Sequence, residues 1–192
     1  MPKSTAIVYI DGLNLQRRIV DYISNQMWVD YWRLAESVLP NFELKAVRVF
    51  TTQETSPEIS VSKAIWSRQE REYPGLSIHL GRMKKTTRLY PLAKSKESHF
   101  RGKPVKVIKY EEKGSDVALA AYAVLDAAKG DASIYYLMTS DTDFEPLLRL
   151  LQQHLEVRVG VLCTTRNFPK LFTELKVNDI RHVKPKDIVR FL

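Results

Sequence analysis

Short apolar runs alternate with amphipathic stretches along the whole chain. Runs of β-branched and aromatic residues that are long enough for buried strands lie at 5–10 (TAIVYI), 44–51, 76–80, 133–139 (SIYYLMT) and 157–163. Between them, apolar residues recur every three or four positions, which is typical of amphipathic helices. These helical patterns cover 13–24, 30–39, 59–71, 115–129, 144–154 and 168–176, and a short strand or cap is predicted from residue 180.

This alternation predicts the fold class. Strands separated by helices are typical of an α/β sandwich with a mostly parallel sheet. The chain has 192 residues, 44% of them hydrophobic, which is enough for one sizeable core and predicts a single domain over 1–192. In such sheets ligands bind beyond the carboxyl ends of the strands, so the residues at those ends are the first candidates for chemistry.

The segment 82–109 departs from the pattern. It contains Pro91, Gly102 and Pro104 and has no sustained period, which predicts a long loop, with a hairpin whose return strand is 105–110. It carries ten basic residues and one acid, Glu97, whereas the whole chain has a net charge of +8. This local basicity indicates a nucleic-acid partner, with a merely solvated loop as the alternative. The cations predicted to bind nucleic acid are Lys84, Lys85, Arg88, Lys94, Lys96, Arg101, Lys103 and Lys106.

Four aromatic rings lie among these cations. They are Tyr90, His99, Phe100 and Tyr110. Such rings can stack on unpaired bases, but they can equally pack the loop against the core.

Acidic residues stand at three element boundaries. Asp11 directly follows the first strand, Asp116 opens the fourth helix, and Asp141 and Asp143 follow the strand at 133–139. If the strands that end here are neighbours, the carboxylates converge, and two of them about 4 Å apart repel by roughly 4 kcal/mol at an effective dielectric constant near 20. A hard divalent cation, Mg²⁺ or Mn²⁺, would relieve that repulsion. Each acid taken alone can also be a helix cap, and Thr142 with Glu145 matches a capping box.

Other classes of site fit poorly. The single Cys163 excludes a disulfide framework, and the four histidines lack ligand-like spacing, so a zinc site is not expected. A glycine-rich dinucleotide fingerprint is absent, since only Gly12 follows the first strand. Leu13 stands where many phosphotransfer enzymes of similar fold have a second aspartate. With neither a signal peptide nor an apolar span in the sequence, we expect a soluble, cytoplasmic protein.

Three motifs resemble, in order and spacing, the signatures of the NYN branch of PIN-like nucleases, especially LabA-like proteins. They are IDGLN at 10–14, KGSDVALA at 113–120 and TSDTDFEPL at 139–147. The resemblance implies a Rossmann-like three-layer α/β/α sandwich and a ribonuclease that uses Mg²⁺ or Mn²⁺. The basic loop before the second motif is longer than the family's motifs require and is an insertion, so substrate recognition does not follow from the resemblance. The resemblance implies that Asp11, Asp116 and Asp141 are metal ligands, that Asp143 is an auxiliary ligand or orients water, and that Asn14 and Ser140 shape the site by hydrogen bonds.

One departure from the family pattern leaves an alternative open. Relatives often have another acid about two turns into the helix that Asp116 begins, whereas this chain has Tyr122 and Ala123 there. The alternative is an RNA-binding module that retains the fold but has weak or no catalysis. The expected partner in both cases is RNA, single-stranded or structured, without a membrane; whether the protein forms a homodimer stays open.

Overall fold

A computed structural model describes residues 3–22, 28–52, 59–91, 104–165 and 167–189. The strands are β1 (Ser4–Asp11), β2 (Phe42–Thr52), β3 (Leu76–Tyr90), β4 (Val105–Lys113), β5 (Ile134–Met138), β6 (Val159–Cys163) and β7 (Asp179–His182). The helices are α1 (Gly12–Tyr22), α2 (Tyr31–Val38), α3 (Ile59–Glu72), α4 (Ser115–Lys129), α5 (Glu145–Gln153), α6 (Lys170–Glu174) and α7 (Pro185–Val189), with a 3₁₀ turn at Thr142–Phe144 before α5.

The seven strands form one sheet in the order β4-β3-β2-β1-β5-β6-β7. All neighbouring strands are parallel except β3 and β4, which are antiparallel. The strand order reverses between β1 and β5, because the chain winds outward from β1 in one direction and from β5 in the other. This arrangement is the doubly wound, Rossmann-like topology, and the point of reversal is where such sheets bind their ligands.

Helices cover both faces of the sheet. On one face β1 and β2 pack against α1 and α2, where Leu15, Ile19 and Leu34 are fully buried. On the other face α4 and α5 cover the sheet, and Leu119 and Leu148 are buried there. The α/β/α sandwich with a mostly parallel sheet is therefore confirmed. No helix in the described ranges is both long and apolar enough to cross a membrane.

A buried ion pair joins α4 to the sheet. The guanidinium of Arg48 on β2 donates to both carboxylate oxygens of Asp126, at 2.7 and 3.0 Å, and Asp126 is only 1% exposed. The Tyr9 hydroxyl donates to the same carboxylate at 2.8 Å. Burial and the Asp126 carboxylate raise the pKa of Tyr9, so its hydroxyl stays protonated and keeps donating.

The long basic loop predicted over 82–109 is largely a β-hairpin. β3 continues to Tyr90 and β4 returns from Val105, so the predicted return strand is confirmed, but the loop prediction was wrong for 82–90. Arg82–Tyr90 pairs with β4 alone, because β2 ends opposite Gly81. We call Arg82–Tyr90 with Val105–Lys113 the hairpin arm. Since β3 is parallel to β2, the arm extends about 27 Å past the carboxyl end of β2.

Candidate functional site

The carboxyl ends of β1 and β5 lie side by side, with Ile10 opposite Met138. Asp11, the last residue of β1, is 8% exposed. One of its carboxylate oxygens accepts the backbone N–H of Asn14 at 3.0 Å, and the other accepts the Thr139 hydroxyl at 2.9 Å. The Asp11 carboxylate is therefore held between the first turn of α1 and the residue that follows β5.

The glycine after Asp11 permits a close approach of α1 to β2. A Cβ atom at Gly12 would lie 2.6 Å from the Thr51 Cβ and 2.9 Å from the Phe50 carbonyl oxygen, which is closer than real Cβ atoms come. Only glycine avoids these contacts, so the Asp11-Gly12 pair is needed to start the helix directly beyond the strand.

Asn14 and Ser140 connect three strand ends. The Asn14 side-chain oxygen accepts the Ser140 N–H and the Thr164 hydroxyl, both at 3.2 Å. The Ser140 hydroxyl oxygen accepts the N–H groups of Thr164 and Thr165 at 3.1 and 3.2 Å. These bonds join the start of α1 to the residues after β5 and β6 and fix the floor of the site.

Asp141 caps the turn that follows β5. Its carboxylate accepts the Asp143 N–H at 2.9 Å, and its own N–H donates to the Thr139 hydroxyl oxygen at 3.0 Å. The cap is one residue earlier than the capping-box pattern at Thr142 indicated. One oxygen of Asp141 is thus committed to the backbone, while the Asp143 side chain is exposed.

Asp116 lies in the first turn of α4, directly beside the root of the hairpin arm. One residue, Gly114 with φ of +103°, separates β4 from α4. Glu112 on β4 accepts the Ser115 N–H at 2.9 Å, and the Ser115 hydroxyl donates to the Thr51 carbonyl at 3.3 Å. These contacts place the start of α4 at the carboxyl end of β2, on the same edge as Asp11.

The acidic residues influence one another electrostatically. Burial raises the pKa of Asp11 above its ordinary value; its hydrogen bonds oppose that rise, and the charges of Asp116 and Asp141 add to it. These three predicted ligands therefore belong to one electrostatic group, although they come from three distant parts of the sequence.

Asp116 has the same kind of perturbation. Burial raises its pKa, and the charges of Glu112, Asp141 and Asp143 raise it further, while Arg17 on α1 opposes them. Arg17 is exposed and lies one helical turn after Asn14. Its charge acts on Asp116, and its exposed side chain is accessible to an anionic ligand.

Because the pKa of Asp116 is raised, replacing Asp116 by asparagine should raise the melting temperature, and the rise should depend on pH. The folded state binds a proton more tightly than the unfolded state, so stability is greatest below the unfolded pKa and falls as pH rises through the folded pKa. Without divalent ions, Asp116→Asn should therefore melt slightly above the wild type at pH 7, and the difference should be small because Asp116 is exposed and solvent screens its charge. The difference in melting temperature should vanish below about pH 3.5, where Asp116 is protonated in both the folded and the unfolded state.

Melting curves in EDTA at several pH values test this expectation. Asp131→Asn is the matched control, because Asp131 is an exposed aspartate in the turn after α4, at the other end of that helix. A lower melting temperature of Asp116→Asn at pH 7 would contradict the like-charge repulsion described above.

The metal-ligand prediction rests on donor chemistry. Carboxylate oxygens are the ligands that Mg²⁺ and Mn²⁺ prefer, and Asp11, Asp116, Asp141 and Asp143 supply only these. Within the described ranges, however, no three His, Cys, Asp or Glu side chains form a group that could hold a metal ion as they stand. The donor set fits the ion, while its assembly into a site stays a prediction.

Tyr122 packs in an aromatic cluster on the α4 face of the sheet. Its ring centroid lies 4.3 Å from His79 and 5.7 Å from Phe50, and the Arg48 guanidinium carbon lies 5.4 Å from it. Burial and the neighbouring Arg48 charge lower the pKa of His79, which disfavours a further positive charge here. Tyr122, which stands where the resemblance leads one to expect an acid, therefore packs against the sheet.

The predicted RNA-binding cations of the hairpin arm are distributed over its two sides. Directly opposed residues of an antiparallel pair lie on the same side, so each side can be read from the register. We call the side that carries Glu112, next to the start of α4, the inner side, and the other the outer side. The inner side carries Lys85 and Lys106, and the outer side carries Lys84 and Arg88. Lys94, Lys96, Arg101 and Lys103 lie outside the described residues.

Sequence reasoning missed three residues of the site. Thr139 bonds both Asp11 and Asp141, Thr164 bonds Asn14, and Glu112 holds the first N–H of α4. Thr139 and Thr164 each directly follow a buried strand, so the rule that flagged the aspartates also marks them. Glu112 has a weaker signal, a carboxylate three residues before a helix start.

Comparisons with known proteins agree with this architecture. The family model described as NYN domain matches residues 5–179. The chain is 28% identical over 145 residues to 6-hydroxy-3-succinoylpyridine 3-monooxygenase HspA of Pseudomonas putida, covering 70% of this chain but only 44% of that protein. Among solved structures, a protein of unknown function from Vibrio parahaemolyticus RIMD 2210633 superposes with a TM-score of 0.63 at 16% identity, over 97% of this chain and 96% of the other.

Proposed function

Because the chain belongs to the NYN domain family, and so to the PIN-like nucleases, we propose that it is a divalent-metal-dependent ribonuclease. The observation that supports this most directly is that Asp11 and Asp141 follow the neighbouring strands β1 and β5 where the strand order reverses, while Asp116 opens α4 beside the end of β2. The charges of Asp116 and Asp141 add to the raised pKa of Asp11. A coupled group of carboxylates at that position is a functional-site candidate on physical grounds.

In this proposal Asp11, Asp116 and Asp141 hold the ion and Asp143 assists them. Mg²⁺ or Mn²⁺ bound there would stabilise the negative charge that develops on the phosphate. The chain's own residues set the geometry: Thr139 and the Asn14 N–H orient the Asp11 carboxylate.

Arg17 and the hairpin arm would supply the binding energy for the phosphates. Arg17 lies close enough to Asp116 to act on its pKa. In the described part of the chain the arm carries seven basic residues and two acids, Glu111 and Glu112. Glu111 pairs with Lys109 and Lys113 at 3.1 and 3.2 Å, which leaves the remaining cations for a polyanion.

A cleavage assay tests the proposal. Purified protein should cut labelled single-stranded or structured RNA with Mn²⁺ or Mg²⁺, and EDTA should stop the reaction. If no divalent ion supports cleavage while metal-free protein still binds RNA, the inactive RNA-binding module is the better account. The incomplete ligand group and Tyr122 favour that alternative.

The arm cations predict a steep salt dependence of binding. If about five of them contact phosphates, the logarithm of the single-strand affinity should fall with the logarithm of the salt concentration at a slope of roughly −3.5. Reversing Lys85 and Lys106 to glutamate should make the slope shallower, because two fewer counterions are released. Fluorescence anisotropy titrations at several salt concentrations measure it.

The matched control reverses two cations far from the arm. Lys45 lies on β2 and Lys129 ends α4, and both are exposed. Their reversal to glutamate changes the net charge equally. Equal slopes for the two double variants would mean that the arm is not the phosphate-binding surface.

A further inference from the structure

The hairpin arm has two chemically different sides. The outer side carries five cations, which are Arg82, Lys84, Arg88, Lys109 and Lys113, together with Glu111, Tyr90, Val105 and Val107. The inner side carries an apolar row of Met83, Leu89, Ile108 and Tyr110 with Lys85 and Lys106 among them. Most of the arm's cations therefore lie on the outer side, while four apolar side chains lie beside two lysines on the inner side.

Apolar side chains on the inner side are well exposed. Leu89 is 65% exposed, Ile108 56% and Tyr110 53%. Lys85 lies opposite Tyr110, with its ammonium nitrogen 5.9 Å from the ring centroid. Flat or apolar groups interleaved with cations are the composition of a surface that stacks unpaired bases and holds their phosphates.

The inner side leads to the proposed active site. Glu112 lies on it and accepts the Ser115 N–H at 2.9 Å. A Cβ atom at Gly81, in the same row, would come within 2.5 Å of the Ser115 hydroxyl oxygen. A strand of nucleic acid on this side would therefore reach the first turn of α4, where Asp116 lies.

We propose that the inner side of the hairpin arm is a stacking platform for unpaired bases, which makes single-stranded RNA the substrate class of the site. This inference rests on the proposed function. Tyr110 is the central residue, because it combines an exposed ring with an adjacent cation. In a duplex the base faces are covered by their neighbours, so a duplex could use the cationic outer side but not the platform.

The charge of the arm disfavours a second copy as the occupant. β4 is the edge strand of the sheet, which is the usual place for strand addition between chains. The arm as a whole carries seven basic residues and two acids, so two copies of it side by side would bring net positive charge together. A polyanion relieves the same repulsion.

The test measures binding separately from catalysis. Asp141→Asn protein in EDTA is titrated into a labelled, unstructured RNA oligonucleotide and into a duplex of the same length. Adding Tyr110→Ala should weaken single-strand binding about tenfold, as loss of one stacked base predicts. Duplex binding and the salt slope should not change, because no charge is removed. Tyr110→Phe, which retains the ring, should bind like the parent.

Tyr90→Ala is the matched control. Tyr90 is an exposed tyrosine of the same arm, opposite Val105 on the outer side. Equal effects of Tyr90→Ala and Tyr110→Ala, or equal losses for single strand and duplex, would overturn the platform. So would a dimer that Tyr110→Ala dissociates without affecting RNA binding. If Tyr110→Ala behaves as expected while the wild type cleaves nothing, the platform stands and only the hydrolysis proposal fails.

Discussion

Asp141→Asn should lower the proposed RNA cleavage by at least about 100-fold, because it removes the charge of a proposed metal ligand. Changes to residues that only orient a ligand already cost 10- to 100-fold. The fold should survive, since the asparagine side-chain oxygen can still accept the Asp143 N–H that the aspartate accepts at 2.9 Å. Single-turnover cleavage rates in Mn²⁺ and Mg²⁺ provide the measurement.

A melting curve and a control variant complete this experiment. Asp141→Asn should melt no lower than the wild type in EDTA, and Mg²⁺ should raise the melting temperature of the wild type but not of the variant. Asp131→Asn, at the far end of α4, should cleave at the wild-type rate. Undiminished cleavage by folded Asp141→Asn would remove the basis for placing the reaction at this edge of the sheet.

Arg48→Leu should lower the free energy of unfolding by about 3–5 kcal/mol, since it leaves the Asp126 carboxylate buried without its cation. Asp126 is 1% exposed and receives both guanidinium bonds. Urea unfolding followed by tryptophan fluorescence gives the loss. Because a buried pair can often be replaced by apolar groups, the triple variant Arg48→Leu, Asp126→Leu, Tyr9→Phe should recover much of it.

An exposed ion pair that contacts a single carboxylate oxygen is the control for Arg48. Arg149 donates to Glu145 at 2.8 Å one turn earlier in α5, with both side chains partly in solvent. Arg149→Leu should cost only about 0.3–0.5 kcal/mol. A loss from Arg48→Leu as small as that from Arg149→Leu would mean that the buried pair contributes little to stability.

The layered fold could be predicted because strands buried on both faces are visible as apolar runs. β5 is buried along its whole length, and the run at 133–139 predicted it. The order of the strands could not be predicted in this way, since it depends on which side of β1 each crossover packs. Knowing only that Asp11 and Asp141 end strands, one cannot tell that those strands are neighbours.

The hairpin arm was only partly predicted, and the reason is physical. Periodicity in sequence reflects burial of one face, but past Gly81 the strand has no core to face, so both sides carry polar and apolar residues. Thr86 and Thr87 favour a strand, whereas the surrounding lysines and arginines mask it. What forms the arm is pairing with β4, a contact between segments distant in sequence.

The sequence identified the candidate ligands, but it could not show that their charges act on one another. Motif positions marked Asp11, Asp116 and Asp141, while the effect of the Asp141 charge on the pKa of Asp11 and of Asp116 depends on spatial proximity. The hydroxyl groups that orient them, such as that of Thr139, belong to residue types too common at strand ends to be singled out.

The link between β4 and α4 has a mechanical consequence. Gly114 is the one residue between β4 and α4, and the Glu112 carboxylate on β4 accepts the Ser115 N–H at the start of the helix. Because only one residue separates the two elements, a tilt of the projecting strands should also move the first turn of α4. If the arm binds nucleic acid as proposed, tension on the bound strand would shift the Asp116 carboxylate, and substrate binding and catalysis would be mechanically linked.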